Sequence, residues 1–369
     1  MERQLNPQID NIFLDNDKLE FTLKNIDVTI ANTLRRVILS DIETFVFTTY
    51  PYDKCDAIIE TNTTRLNNEI LKQRLSCIPI HIKDESFPYN NFKLVVDQEN
   101  TSNITEYVTT EHFKLYDTVT NSFMPETDLR KVFPKNEKTN HFIDFSRLRP
   151  KISEEIPGEQ LKFTCKLSKG KAKDDSMFNV ACNSSYGYTP DRVKIDDMWN
   201  VKENQLKKDN ISIEEIEYIK NDWYNLDAKR IFIPNSYDFN IQTVGVFTPY
   251  ELVKLACKFM YNEFNDFKST NYQINTSDVT MDNSFDIILF NKDHTFGKCL
   301  EYLLYYKYYE GDQILSYCGF QKKHPHDEYS IVRLAYKNEV EQDTIIKNLK
   351  ESCSLGAQLF KDMEQLFIE

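Results

Sequence analysis

Apolar and polar residues alternate near the start of the chain and then change period. Leu19, Phe21 and Leu23 alternate with polar neighbours, a pattern that predicts a half-buried strand. After Asp27, a candidate helix cap, apolar residues recur every three or four positions, as on one face of an α-helix. This predicted helix carries the stripe Ile30, Leu34, Val37, Ile38 and Leu39.

A second strand and helix pattern begins near residue 230. The segment 230–247 predicts strands around a turn, with Phe232, Tyr237, Phe239 and Ile241 as its apolar positions. Thr248, Pro249 and Glu251 then form a capping box with proline at the first helical position. The apolar stripe of this helix is Leu252, Leu255, Ala256, Phe259, Met260 and Phe264.

The order strand then helix recurs after residues 268–277, whose polar composition is typical of a linker. Phe285, Ile287 and Leu289 alternate, and Asp293 or His294 is placed to cap the helix that follows. Its stripe is Phe296, Leu300, Leu303 and Leu304.

The last residues predict two short strands and a long helix. The strands are expected around 314–320 and 329–336, and the amphipathic helix near 341–367. At helical spacing its stripe covers about seven turns. It consists of Ile345, Ile346, Leu349, Cys353, Leu359, Met363 and Leu366.

These patterns predict an α+β fold with two similar units in tandem, each with a small sheet and apolar helix faces to bury. The first unit is expected at 1–50 plus 230–268, and the second at 269–369. An inserted domain of mixed α/β structure is expected at 51–229, with a charged turn at 169–175 in which Gly170 is the pivot. Two unrelated α+β domains remain the alternative.

Composition and charge restrict the function classes. The 369 residues exceed one typical core, and a net charge of −13 without a basic cluster argues against direct binding of nucleic acid. Eight cysteines occur singly with no C-x-x-C pair, which favours a reducing compartment and no zinc ribbon. No apolar run reaches the roughly 18 residues of a membrane helix, so we expect a soluble intracellular protein.

Motifs for catalysis are not found in the sequence. It contains no Gly-rich phosphate loop, no G-x-S-x-G elbow and no D-x-D-x-D triplet. His294 beside an aspartate, and His324 with His326 in a predicted turn at Pro325, lack the converging partners of acid–base or metal sites. We therefore expect no catalytic residue, no metal and no cofactor.

Several segments nevertheless resemble one family. Residues 21–40, with AlaAsnThrLeuArgArg at 31–36, closely resemble the first-helix region of the bacterial alpha subunit, the archaeal D subunit and the third-largest subunit of RNA polymerase II. The segments 60–64 and 66–80 continue the resemblance in the same order. It extends to an insert signature in residues 169–173, Tyr186 and Tyr188–Asp191.

The C-terminal unit resembles a different subunit type. Residues 293–297 and 323–325 are similar to signatures of the small archaeal L subunit and its eukaryotic equivalents. The chain thus resembles a fused D/L pair, an arrangement that large cytoplasmic DNA viruses carry. One departure concerns the four-cysteine metal site of the cellular insert, because Cys77 is the only cysteine between 56 and 164.

The resemblance implies a fold in which two alpha-type dimerisation units form an intramolecular pseudo-dimer. It implies a non-catalytic assembly subunit of a DNA-directed RNA polymerase, which brings together the two large catalytic subunits and a small subunit comparable to the archaeal N and P types. For a viral protein it places the chain in the host cytoplasm and the virion, with no direct contact to nucleic acid or membrane. A free-standing polymerase-binding adaptor and an enzyme hidden in 84–229 are the competing hypotheses.

The resemblance implies a role for each of two sets of residues. Asn32, Arg35 and Arg36 are expected at the interface with the second-largest subunit, the alternative being an ordinary solvated helix face. The expected intramolecular dimer core is Ile30, Leu34, Val37, Ile38, Leu252, Leu255, Phe259, Phe296, Leu300, Leu303, Leu304, Leu349, Leu359 and Met363.

Overall fold

A computed structural model describes residues 5–153, 155–277 and 281–367. The chain divides into two compact units. The large unit consists of Met1–Ile38, Asn183–Gln242 and Pro249–Glu369, and the small unit of Leu39–Cys182 and Thr243–Thr248.

The described residues form helices and strands that are mixed along the chain. The helices are α1 (Val28–Ser40), α2 (Asn68–Ser76), α3 (Glu126–Val132), α4 (Arg192–Lys208), α5 (Ile213–Asn225), α6 (Pro249–Ser269), α7 (His294–Leu304) and α8 (Gln342–Leu366). The strands are β1 (Gln8–Asp15), β2 (Lys18–Lys24), β3 (Glu43–Val46), β4 (Ile58–Asn62), β5 (Phe92–Glu99), β6 (Glu106–Thr109), β7 (Lys114–Asp117), β8 (Ser122–Phe123), β9 (Asp144–Leu148), β10 (Gln160–Lys166), β11 (Ser168–Lys171), β12 (Ala181–Pro190), β13 (Phe232–Thr243), β14 (Gln273–Thr276), β15 (Ser284–Phe290), β16 (Leu315–Gln321) and β17 (Tyr329–Tyr336). The α+β fold class predicted from the sequence is confirmed.

The first sheet of the large unit has the strand order β1-β2-β13-β12. Leu19, Phe21 and Leu23 of β2 are buried as predicted, because alternate side chains of a strand face the same side. The sequence prediction for 230–247 is wrong in one respect, since β13 is a single strand without a central turn. Asn235 takes a positive φ of 56°, which asparagine tolerates, and the strand continues past it.

Residues 183–229 lie in the large unit, whereas the sequence analysis assigned them to the inserted domain. The reason is that β12 is hydrogen-bonded along β13 in the first sheet. Residues 39–50, which were assigned to the first unit, lie in the small unit, where β3 pairs with β11. Helices α4 and α5 follow β12 and share a small core around Trp199 and Trp223, whose ring centroids lie 6.4 Å apart.

The second sheet of the large unit is antiparallel, with the order β14-β15-β17-β16. Ile287 and Leu289 are buried on one face, and on the other Arg333 forms two hydrogen bonds of 2.6 and 2.7 Å with Asp286. The prediction of a linker at 268–277 is wrong, because Gln273–Thr276 forms the edge strand β14. An edge strand is held by its backbone, so polar composition does not prevent it.

The small unit contains the sheet β4-β10-β5-β7-β8, the strand pairs β3-β11 and β6-β9, and helices α2 and α3. The charged turn predicted with Gly170 as its pivot is displaced, since Gly170 lies inside β11. A Cβ atom at Gly170 would lie 2.7 Å from the ring of Phe178, so space rather than a turn requires glycine here. The aromatic part of the buried core is Phe45, Phe47, Phe113, Phe133, Phe145 and Phe163.

No helix within residues 5–153, 155–277 and 281–367 has the length and apolarity needed to cross a membrane.

Candidate assembly interface

Helix α1 begins directly after the residue whose side chain caps it. Oδ1 of Asp27 accepts a hydrogen bond of 2.8 Å from the backbone N–H of Thr29, which confirms Asp27 as the cap. One face of α1 is buried in the large unit. That face contains Ile30, Ala31, Thr33, Leu34, Val37 and Ile38, of which Ala31 and Thr33 were not predicted.

The first turn of α7 is hydrogen-bonded to α1, a contact that we call the α1–α7 junction. Oγ1 of Thr33 donates to the carbonyl oxygen of Thr295 over 3.3 Å, and Nε of Arg36 donates to Oγ1 of Thr295 over 2.8 Å. Asp293, predicted as the cap of α7, accepts from the backbone N–H of Thr295 over 2.9 Å. The junction joins segments that are 259 and 262 positions apart in the chain.

A double-mutant cycle tests the junction. Arg36→Met and Thr295→Val each remove one end of the charged hydrogen bond, and we expect a coupling energy of about 1–2 kcal/mol between them. Urea unfolding of the parent, the two single variants and the double variant measures this energy. Changes that simply add, within about 0.5 kcal/mol, would show that the two side chains do not interact.

Four phenylalanines connect α6 with α7 and α8. The ring centroid of Phe264 lies 5.0 Å from that of Phe296 and 6.1 Å from that of Phe360, and the rings of Phe267 and Phe296 are 5.2 Å apart. Tilted and edge-on pairs at these distances contribute about 0.5–1.5 kcal/mol each beyond their burial. The pairs therefore stabilise the contact between α6 and the two C-terminal helices.

Helix α8 approaches both neighbouring helices closely at Gly356. A Cβ atom there would lie 2.7 Å from Cδ1 of Leu303 in α7 and 2.9 Å from the ring of Phe264 in α6. An ion pair between Glu263 of α6 and Lys292, just before α7, lies at the edge of this contact. Glycine thus sets the distance at which α8 packs.

The first sheet also contacts the residue that follows α8. Phe21 of β2 stacks on Phe239 of β13 at 5.0 Å, and the edge of its ring meets the buried Phe367 at 4.9 Å. Elements from both ends of the chain therefore share one apolar core within the large unit.

Twelve of the fourteen predicted core residues are buried, and Leu255 and Phe259 are half-buried. The packed face of α6 is rotated away from these two positions and towards a set that was only partly predicted. This set is Leu252, Val253, Ala256, Cys257, Met260, Phe264 and Phe267.

The three residues predicted at the partner interface have different surroundings. Arg35 is half-buried, and its Nε donates to Oδ1 of Asn32 over 3.0 Å. Burial raises the pKa of Tyr186 on β12, and the nearby charge of Arg35 opposes that rise. Asn32, Arg35 and Tyr186 therefore form a partly exposed polar group, whereas Arg36 turns to Thr295 in the junction.

The histidines and cysteines do not converge on a metal site in the described parts of the chain, where no three His, Cys, Asp or Glu side chains are placed to hold an ion. His324 and His326 lie in a turn, as predicted. Burial raises the pKa of the Cys257 and Cys299 thiols, so these two residues are protonated and act as small apolar core residues.

The chain is similar to several subunits of DNA-directed RNA polymerases. It is 23% identical over 307 residues to subunit RPAC1 of RNA polymerases I and III from Homo sapiens, which covers 71% of this chain and 84% of that protein. It is 24% identical over 268 residues to RNA polymerase subunit Rpo3 from Pyrococcus furiosus, covering 69% of this chain and 92% of that protein. Subunit 3 of RNA polymerases II, IV and V from Arabidopsis thaliana is 27% identical over 212 residues, or 55% of this chain and 63% of that protein.

The family model described as the RNA polymerase Rpb3/Rpb11 dimerisation domain matches residues 20–264, more than half of the chain. The matched region contains α1, the small unit and most of α6. The chain belongs to the RNA polymerase Rpb3/Rpb11 dimerisation domain family.

Proposed function

We propose that the chain is a non-catalytic assembly subunit of a multisubunit DNA-directed RNA polymerase, on which the two large catalytic subunits associate. The α1–α7 junction carries the proposal. There, Thr295 accepts a hydrogen bond from Arg36, so a C-terminal segment outside the matched family region binds the first helix within it. The similarity to named polymerase subunits supports the same role.

In this proposal the chain contains both halves of an alpha-type dimer. The first half, residues 1–38 and 183–242 with helix α6, pairs with the second, residues 269–369, and the small unit is inserted in the first. The packing of α6 against α8 supports the pairing. Because a covalent link makes docking intramolecular, with an effective concentration on the order of millimolar for a short flexible linker, pairing does not depend on the protein concentration.

The partners in this proposal are proteins. Arg35 is suited to a protein interface because its planar guanidinium pairs with carboxylates through two parallel hydrogen bonds. A net charge of −13 favours protein partners over nucleic acid. We include a small subunit comparable to the archaeal N and P types, and the fused arrangement favours a viral polymerase, located in the host cytoplasm and the virion.

Purification of the protein from its native source tests the proposal. We expect two polypeptides, each much larger than this 369-residue chain, to co-elute with it in a fixed ratio and with RNA synthesis activity. Recovery of the chain without them would contradict the subunit role and favour a free-standing adaptor. Nucleotide turnover by the isolated chain would favour an enzyme instead.

Charge reversal at Arg35 tests the partner surface. We expect Arg35→Glu to leave the isolated protein folded and to weaken binding to the second-largest subunit by about tenfold or more, because an anion replaces a pairing cation. Binding is measured by co-purification and by surface-immobilised titration. Lys361→Glu on the exposed side of α8 is the control and should bind as the parent does. Equal binding by both variants would remove Arg35 from the interface.

A further inference from the structure

The small unit contains a cleft between α2, β6 and β9, and none of its lining residues was assigned to the partner interface or the dimer core. The volume of the cleft is about 680 Å³. Arg65 and Arg74 line one side, and Tyr107 and Arg147, which face each other across the pair β6-β9, line another. Pockets of about 300–1,000 Å³ are the usual size for small-molecule ligands.

The lining of the cleft is cationic in a chain that is strongly acidic as a whole. Four arginines line it against two carboxylates, Asp144 and Glu159. Glu159 forms an ion pair with Arg149, and so neutralises one of the four. Two positive charges therefore remain in excess over the carboxylates.

The arginines of the cleft differ in the hydrogen bonds that their side chains form. Nε and Nη2 of Arg74 donate to the backbone oxygens of Phe145 and Asp144 over 2.8 and 2.7 Å, which fixes the guanidinium at the cleft wall. Arg65 and Arg147 are exposed, and in the part of the chain that the structure describes neither side chain has a hydrogen bond or an ion pair. These two side chains are available to a ligand.

We propose that this cleft binds a small molecule carrying two or more phosphate charges. Arginine pairs with phosphate through a planar fork of donors, and the two unpaired arginines match a ligand of at least two negative charges. The half-exposed ring of Tyr107 offers a stacking surface for a nucleobase. The volume of the cleft, about 680 Å³, and the net charge of −13 favour a small ligand over a nucleic acid strand.

Calorimetric titration of the purified full chain with pyrophosphate and with adenosine diphosphate tests the site. We expect saturable binding of both, and a loss of about tenfold or more in the double variant Arg65→Gln/Arg147→Gln. Tighter binding of the nucleoside diphosphate, lost in Tyr107→Ala, would assign a nucleotide. Equal binding would assign the phosphate groups alone. Circular dichroism confirms that each variant is folded.

One further variant makes the test specific. Arg192→Gln, which removes an exposed arginine of the large unit, should bind as the parent does. The proposal is overturned by the absence of saturable binding, by equal binding of the double variant, or by binding only of a single-stranded oligonucleotide or an acidic peptide.

Discussion

Leu349→Asp is expected to destabilise the large unit severely. Leu349 is 0% exposed on the face of α8 that packs towards α6 and α7, so the carboxylate would be buried without a partner. We expect a loss of about 4–5 kcal/mol or more, against a total stability of about 5–15 kcal/mol for a typical domain. Urea unfolding followed by circular dichroism measures the loss. The same result is expected for Leu34→Asp and Leu300→Asp.

Lys350→Asp is the matched control, since it places the same side chain on the adjacent, exposed position of α8. Its stability should stay within about 0.5 kcal/mol of the parent. If Leu349→Asp were as stable as Lys350→Asp, the face of α8 that carries Leu349 would not be packed in a core.

Phe264→Ala has the second largest expected effect. Phe264 is 0% exposed, and its ring touches those of Phe296 and Phe360 from the two C-terminal helices. Removing the ring leaves a cavity between three helices, so we expect the free energy of unfolding to fall by about 3–5 kcal/mol. Denaturant titration measures the change.

Phe290→Ala removes the same ring from a position that is 58% exposed in the same unit. It should cost less than about 1 kcal/mol. Similar losses for the two variants would mean that Phe264 does not join α6 to the C-terminal helices.

Hydrophobic periodicity predicts the helices of this chain because each buries a wide apolar face. α6 begins at Pro249 as the capping pattern indicates, and α7 follows its predicted cap Asp293. The predicted range 341–367 differs from α8, Gln342–Leu366, by one residue at each end. Strong stripes and caps act locally, so the sequence specifies them.

The rotation of a helix about its axis is harder to predict. Leu255 and Phe259 flank one side of α6's predicted apolar stripe, but the apolar residues Val253 and Cys257, which were not included in it, flank the other side. Packing against α7 and α8 selects the second side, and the partner surface that makes this choice is not local in sequence.

The turn around Gly170 and the linker at 268–277 were predicted from polar composition, and both predictions were wrong. Gln273–Thr276 reads as a linker because an edge strand needs backbone partners rather than apolar side chains. Gly170 was predicted as the pivot of a turn, but glycine is required there because the ring of Phe178 leaves no space for a Cβ atom. The local sequence does not show that β15 pairs with β14 or that Phe178 packs on Gly170.

The polar part of the candidate interface could be predicted only in part. Arg35 and Arg36 were placed together on the polar side of α1, but Arg36 donates to Thr295. Thr33 is buried because its hydroxyl has an acceptor 262 positions away. A pattern of single residues contains no information on so distant a partner.

Cleavage between α6 and β14 tests the proposed pseudo-dimer most directly. A protease site inserted after Asn271, in the exposed stretch that joins the two elements, leaves the buried helix faces intact. After cleavage, the two fragments are expected to co-elute in a one-to-one complex on size exclusion under native conditions and to separate only in denaturant. Two folded fragments that elute separately without denaturant would contradict the proposal that the two halves bury their helices in each other.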